Sequence, residues 1–172
     1  FVGFTILILL VLFCFVGPLF YKTEQVLTSL SDGRLQPGVN GHPLGTDDLG
    51  YDLLGRLMLA GQTSLVIGLA AGILATVIGT LWGAVAGYAG GWVDAVMMRI
   101  VDAGIAIPAL FLLVVAAAMT TPSVPMLILV IGLVSWLVPA RLMRAESVAL
   151  RSRAYVESMR LMGGSSVRAI GK

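Results

Sequence analysis

Four apolar runs of near membrane-spanning length restrict the fold of this chain more than any other feature. They cover residues 2–20, 65–86, 104–119 and 126–140, and the two shorter runs can be extended by flanking residues. A bilayer core of about 30 Å is crossed by roughly 20 helical residues. Backbone N–H and C=O groups in lipid must bond to one another, which favours helices. The sequence therefore predicts an all-α membrane protein with about four transmembrane helices.

Composition supports this fold class and disfavours a soluble domain. Hydrophobic residues make up 58% of the chain and charged residues only 12%, against about 25% charged residues in soluble domains. A cleaved secretory signal at residues 1–20 is disfavoured because the run is long and no clean small-x-small cleavage site follows it. Cys14 is the only cysteine, so we expect a small apolar filler rather than a disulfide or metal ligand.

The distribution of charge predicts the orientation. Residues 141–172 contain seven basic and two acidic residues, for a net charge of +5, whereas residues 22–62 have a net charge of −2. Basic loops remain in the cytoplasm. Residues 141–172 and, with four crossings, the N-terminus and residues 87–103 are therefore expected inside, and residues 22–62 outside.

The chain is predicted to have three parts. Residues 1–21 form the first transmembrane helix, residues 22–62 an external loop with an amphipathic helix, and residues 63–172 a core domain with three further helices and a cytoplasmic coupling loop. Thr46 is a suitable N-cap for the amphipathic helix. The apolar face of that helix consists of leucines at helical spacing, namely Leu49, Leu53, Leu54 and Leu57.

Small residues in the second run predict a close helix–helix contact. Gly79, Gly83 and Gly87 repeat at four-residue spacing on one helical face, which lets another helix approach closely. The alternative is that glycine is simply common in membrane helices. Pro108 and Pro139 are predicted to kink the third and fourth helices.

Charged residues near the third run predict a structural role. Arg99 and Asp102 are three residues apart, so we expect an ion pair on one helical face. An ion path is the alternative, but these charges lie within reach of the membrane interface. No ionisable residue is embedded in the middle of a run, which argues against a carrier coupled to protons or sodium.

The basic segment after residue 140 predicts a helix, a glycine elbow and a second helix. Residues 154–162 have a helical composition, and Gly163 and Gly164 provide a C-terminal stop. Ser165 or Ser166 can cap the following helix. Such a short helix could enter a groove of a soluble partner; the alternative is a basic segment lying on anionic lipid.

The same segment resembles the cytoplasmic signature loop of bacterial ABC-importer permeases, which reads Glu-Ala-Ala, three residues, Gly. In residues 154–165, hereafter the signature loop, Glu157 and Gly163 match at the right spacing, while Ser158 and Met159 replace the two alanines. Four flanking residues fit the version found in dipeptide and oligopeptide permeases: Tyr155, Val156, Arg160 and Ser165.

Three further stretches resemble the dipeptide, oligopeptide and nickel branch of these binding-protein-dependent transport inner-membrane components. They are residues 42–50 with Asp52 and Arg56, residues 87–94 with Arg99 and Asp102, and Trp136 with Arg141 and Arg144. Tyr51 departs from the pattern, which usually has arginine there. The resemblance implies a multi-span helical permease fold with six spans in the family, so that the C-terminal two are expected to be absent here.

The resemblance also implies a function. A permease of this kind is a transport subunit and not an enzyme. It works in the bacterial inner membrane with a homologous second permease, two cytoplasmic ABC ATPases that bind ATP and Mg, and an extracytoplasmic peptide-binding protein. The implied ATPase-coupling residues are Tyr155, Val156, Glu157, Arg160, Gly163, Gly164 and Ser165. The implied cargo is a di- or oligopeptide.

Other functions are open at this level. A nickel or glutathione importer permease shares the same motifs, and a secondary carrier or a non-transporting scaffold would come from another class. A nucleotide site in the chain itself is disfavoured because Ser166 stands where a P-loop ending at Gly171-Lys172 needs glycine. Nucleic acid is disfavoured because the basic tail follows a membrane span and lacks a basic-aromatic face.

Overall fold

The computed structural model describes residues 2–22, 30–121 and 123–151. In these ranges the regular elements are all helical, and the only bridges are two isolated ones, so the predicted all-α class is confirmed. The elements are α1 (Val2–Phe15), α2 (Gly17–Phe20), a 3₁₀ turn (Leu30–Asp32), α3 (Leu53–Ala89), α4 (Gly91–Ala106), α5 (Ala109–Met119), α6 (Val124–Ser135) and α7 (Leu137–Arg151). The chain divides between Val66 and Ile67 into two compact units.

Three helical stretches are long and apolar enough to cross a membrane, namely Val2–Phe20, Leu53–Ala89 and Val124–Arg151. A fourth span results if the bent pair α4 and α5 is counted as one. The prediction of a membrane protein with about four spans is therefore confirmed. The 37 residues of α3 extend about 55 Å at 1.5 Å per residue, so this helix is longer than a bilayer core is thick.

The third span differs from the single kinked helix expected over residues 104–119. The helical axes of α4 and α5 differ in direction by 76°. Pro108 has no N–H to continue the helix, and a residue before proline is held in an extended conformation. Ile107 accordingly has φ −88° and ψ 123°. Pro139, in contrast, lies in the first turn of α7, where a backbone N–H has no helical partner to lose.

The amphipathic helix expected from Thr46 begins instead at Leu53 and continues without a break as α3. Asp52 is the residue that caps it, because its Oδ2 accepts a hydrogen bond from the Gly55 N–H at 2.6 Å. Leu53, Leu54 and Leu57 therefore lie in the first turns of the long helix rather than in a separate surface helix.

Thr46 does not act as an N-cap because its hydroxyl is used within the loop. Its Oγ1 accepts a hydrogen bond from the Leu35 N–H at 2.9 Å and donates to the Asp32 carbonyl. Thr46 is buried and forms an isolated bridge with Asp52. The loop before α3 is thus held by side-chain to backbone bonds, which compete with helix formation.

The first unit contains a close contact between α1 and the beginning of α3. Cys14 is buried, and its side chain lies directly against Gly61. The Gln62 amide donates a hydrogen bond to the Cys14 carbonyl at 2.7 Å. The small cysteine side chain therefore fills a site where the two helices nearly touch.

The core of the second unit lies between α3, α4 and α7. Val101 and Ala140 are fully buried, and Leu137 nearly so. Trp82 and Trp136 pack against them, with their rings edge to face and 5.1 Å between centroids. The Trp82 indole N–H donates to the Met97 carbonyl at 3.3 Å, which satisfies its one polar atom.

Candidate functional site

The predicted signature loop lies outside the described residues, because the description ends at Arg151. Every predicted coupling residue lies there, namely Tyr155, Val156, Glu157, Arg160, Gly163, Gly164 and Ser165, and so does Arg153, a basic residue just before the loop that is a further candidate for contact with the ATPase. The element that leads into the loop is α7. The candidate site is therefore the junction where α7 packs on α3 and α4.

The three predicted packing glycines lie against the backbone at the beginning and middle of α7. A Cβ on Gly79 would come within 2.6 Å of the Trp136 carbonyl oxygen. A Cβ on Gly83 would lie 2.8 Å from the Arg144 nitrogen, and one on Gly87 would lie 2.6 Å from the Arg144 oxygen. Because backbone atoms cannot move aside as a side chain can, no larger residue fits this face without separating the helices.

The contacts advance in the same direction along both helices. Leu74 packs on Gly132 in α6, Gly79 lies opposite Trp136, and Gly87 lies opposite Ser147. The two segments are therefore parallel, as expected for the second and fourth of four consecutive membrane crossings. Ala71 and Ala75 continue the four-residue spacing and are also buried. We call this contact, formed by α3 with α6 and α7, the small-residue seam.

A forked ion pair joins α7 to α4. Arg144 donates from Nε to Asp94 Oδ1 at 3.0 Å and from Nη2 to Asp94 Oδ2 at 2.5 Å. The Asp94 side chain is only 13% exposed and that of Arg144 40%. Two parallel bonds between charged groups fix geometry as well as energy. The pair therefore sets the position of α7 along α4.

A second ion pair lies nearby on the same two helices. Arg141 Nη2 is 2.5 Å from Asp102 Oδ1, and both side chains are about half exposed. This pair has a single hydrogen bond and is more exposed to solvent than the fork. It therefore holds the helices less firmly.

The expected pair between Arg99 and Asp102 is replaced by the one between Asp102 and Arg141. Asp102 directs its carboxylate at α7 rather than along its own helix, whereas Arg99 lies on an exposed face beside Val96 and Ile100. Within the described ranges Arg99 has no ion pair. The sequence signal that was missed is the presence of two acids on one helix, Asp94 and Asp102, and two arginines on another, Arg141 and Arg144.

Arg151, the last described residue of α7, lies beside the corner between α3 and α4. Gly90 and Gly91 form this corner with φ of +66° and +57°, a conformation that favours glycine. The Arg151 guanidinium covers Gly90, where an added Cβ would collide with it. The corner thus lies next to the point where the chain enters residues 152–172.

A separate polar cluster occupies the loop of the first unit. Asp52 is buried and accepts hydrogen bonds from the Tyr21 hydroxyl at 3.1 Å and from Gly55; His42 Nδ1 lies 2.9 Å from its Oδ1. Burial, then the bond to Asp52 and its charge, raise the pKa of Tyr21 to about 12.

Asp47 in the same loop has a lowered pKa. Burial raises this pKa, but hydrogen bonds from the N–H groups of Tyr51 and Leu49, together with the charge of Arg56, lower it by more than burial raises it. The carboxylate thus remains charged and ties the turn together. Within the described ranges, no group of three or more His, Cys, Asp or Glu side chains is placed to hold a metal.

Comparison with known proteins adds to this geometry. The family model described as "Binding-protein-dependent transport system inner membrane component" matches residues 79–172. The chain is 30% identical over 171 residues to the oligopeptide transport system permease protein OppC of Bacillus subtilis, covering 99% of this chain and 56% of that protein. It is 36% identical over 162 residues to OppC of Escherichia coli K12, covering 94% and 54%.

A third relative is the dipeptide transport system permease protein DppC of Bacillus subtilis, 30% identical over 170 residues, which cover 99% of this chain and 53% of that protein. The chain thus spans about half the length of the curated relatives it matches. The family match begins at Gly79, the first glycine of the repeat in the small-residue seam.

Proposed function

We propose, from the premise that the chain belongs to the family of binding-protein-dependent transport system inner membrane components, that it acts in the translocation subunit of an ATP-driven importer of di- or oligopeptides. The family match carries the importer assignment. The names of the relatives, which are oligopeptide and dipeptide permeases, support the peptide cargo.

The proposed mechanism is alternating access driven by partner subunits. A homologous second permease would complete the path, and an extracytoplasmic binding protein would deliver the peptide. Two cytoplasmic ATPases would bind ATP and Mg and hydrolyse the nucleotide, so this chain supplies no catalytic group. The complex would lie in the bacterial inner membrane, with the N-terminus and the signature loop in the cytoplasm, as the charge distribution favours.

The signature loop is the proposed contact with the ATPases. Glu157 and Gly163 would shape the short helix and its turn, and Arg153 and Arg160 would offer polar contacts. The geometry of α7 supports this role, because the helix that leads into the loop is fixed to both α3 and α4. A displacement of the loop would therefore be passed through α7 to α3 and α4.

The alternatives are a nickel or glutathione permease of the same family, a secondary carrier and a scaffold. The peptide-permease names of the relatives favour a peptide among the first group. A carrier needs polar groups that bind a coupling ion within the spans, whereas Asp94 and Asp102 are each already neutralised by an arginine.

The test is purification of the complete subunit in mild detergent. We expect a second permease and two ATPases to co-purify, and the ATPase activity to rise when peptide-loaded binding protein is added. Stimulation by nickel-loaded or glutathione-loaded binding protein alone would move the assignment to another branch. A subunit that purifies without any ATPase would contradict the importer function.

A further inference from the structure

Arg144 joins three helices at one point. Its backbone nitrogen and oxygen lie against Gly83 and Gly87 of α3, and its guanidinium forks onto Asp94 of α4. The last described residue of its own helix, Arg151, lies seven residues later, about two turns away. Any movement that enters α7 from residues 152–172 therefore meets this junction within two turns.

The two contacts of Arg144 constrain α7 in different ways. The small-residue seam is held by van der Waals contact, which resists separation of the helices but has little directional preference. The fork is directional, with bonds of 2.5 Å and 3.0 Å. A slide of α7 by one residue, about 1.5 Å, would disturb the lengths and angles of both bonds together. The fork thus opposes sliding of α7 along α4.

Breaking the fork is costly because Asp94 is shielded. Its side chain is 13% exposed, and a carboxylate that loses its partner in such a place is left as an uncompensated charge. The Arg141–Asp102 pair is about half exposed on both sides, so solvent can compensate its separation. The two pairs therefore differ in how firmly they link the helices.

The helix that the fork links to α7 ends at a sharp bend. α4 stops at Ala106, and the extended residues Ile107 and Pro108 separate it from α5 at 76°. Short extended segments between rigid helices can absorb a change of angle. Movement of α4 would therefore change the direction of α5 relative to the junction.

We propose that the Arg144–Asp94 fork is a transmission link, in which two positioning residues make α7 and α4 move as one body when the partner ATPases displace the signature loop. The proposal rests on the proposed function, since it needs ATPases that act on the loop. In this proposal a single ion pair passes the movement of the signature loop from α7 to α4, and so to the bend at Pro108.

The test compares peptide import with ATP consumption in proteoliposomes that contain the complete importer. Asp94→Asn keeps the shape of the side chain and one oxygen acceptor but removes the charge. We expect basal ATPase activity to stay within about twofold of wild type, while peptides imported per ATP hydrolysed fall about tenfold, which is within the usual range of coupling between sites.

Two matched controls remove a carboxylate without breaking the fork. Asp102→Asn removes the charge of the exposed pair on the same helix, and Glu146→Gln removes an exposed charge on α7. We expect both to change the peptide-to-ATP ratio by less than about twofold. A merely structural role of Asp94 would lower the yield of assembled complex and leave that ratio unchanged.

An unchanged ratio in Asp94→Asn would overturn the proposal. If this variant fails to assemble, Arg144→Lys decides, because lysine keeps the charge but cannot form the two-nitrogen fork. A several-fold lower ratio in Arg144→Lys supports the link; a wild-type ratio, or failure to assemble here too, overturns it. Failure of the proposed function is distinguishable, because the wild-type complex would then show no peptide-stimulated ATPase activity at all.

Discussion

Individual polar residues in this chain are placed by their partners rather than by their sequence neighbours. The sequence indicates Asp52 only as part of a stretch that resembles a permease family, yet in the structure Asp52 caps α3 and accepts a hydrogen bond from the Tyr21 hydroxyl. Asp102 pairs with Arg141, 39 residues away, and not with Arg99 on its own helix. Helical spacing predicts which residues can meet on one helix, but it does not predict which residues of a second helix pack against them.

The cluster around Asp52 leads to a prediction about pH. Because the pKa of Tyr21 is raised to about 12 from an ordinary value of about 10, its contribution to stability is fully present below pH 10. The contribution is lost as the pH rises from 10 through 12. We expect a phenolate titration, taken as the difference between wild type and Tyr21→Phe, to show this late midpoint.

Asp52→Asn should move that midpoint down, towards 10 but not to it, because burial is the largest cause of the raised pKa. Asp48→Asn is the matched control, since Asp48 is an exposed acid in the same loop that pairs with Arg34. A Tyr21 midpoint near 10 in the wild-type protein would show that the phenol is not held as described.

At the scale of elements, the lengths of the apolar runs predicted the membrane spans, whereas local hydrogen bonds determine where the helices begin and end. The run at residues 65–86 showed only the middle of α3, which begins at Leu53, because the first three turns are mixed in polarity. The break at Pro108 was expected as a kink, but its 76° angle depends on the packing of α4 on α7 and of α5 on α6. The glycine repeat showed that a helix would approach closely, without showing that α7 was the partner.

The small-residue seam leads to a prediction about stability. Gly83→Val should destabilise the complete subunit by about 1–3 kcal/mol, because the new side chain would meet the backbone of Ala140 and Arg144. Thermal unfolding in detergent would measure the loss as a lower Tm. Gly72→Val is the matched control, since Gly72 lies on the same helix with no described atom within 4 Å of an added Cβ.

We expect Gly72→Val to change the free energy of unfolding by less than about 0.5 kcal/mol. Equal losses from both variants would mean that α3 responds to valine anywhere along its length. In that case the close approach of α3 and α7 would not be what the glycines provide.

At the scale of the whole molecule, the chain spans about half the length of its curated relatives, and the family match covers residues 79–172. The fold class followed from the apolar runs, because only helices satisfy the backbone across a bilayer in segments of this kind. The proposed orientation follows from charge alone. The parallel register of α3 and α7 agrees with four consecutive crossings, and it is the same whichever side of the membrane the N-terminus occupies.

We propose that the signature loop couples this subunit to ATP hydrolysis, and Gly163→Val in the assembled importer tests this coupling most directly. Gly163 is predicted to end a helix with a backbone conformation that a β-branched residue resists. The measurement is ATPase activity with and without peptide-loaded binding protein, with Ala169→Val as a control outside the loop. We expect Gly163→Val to abolish the stimulation and Ala169→Val to retain it. Stimulation at the wild-type level in Gly163→Val would contradict the account.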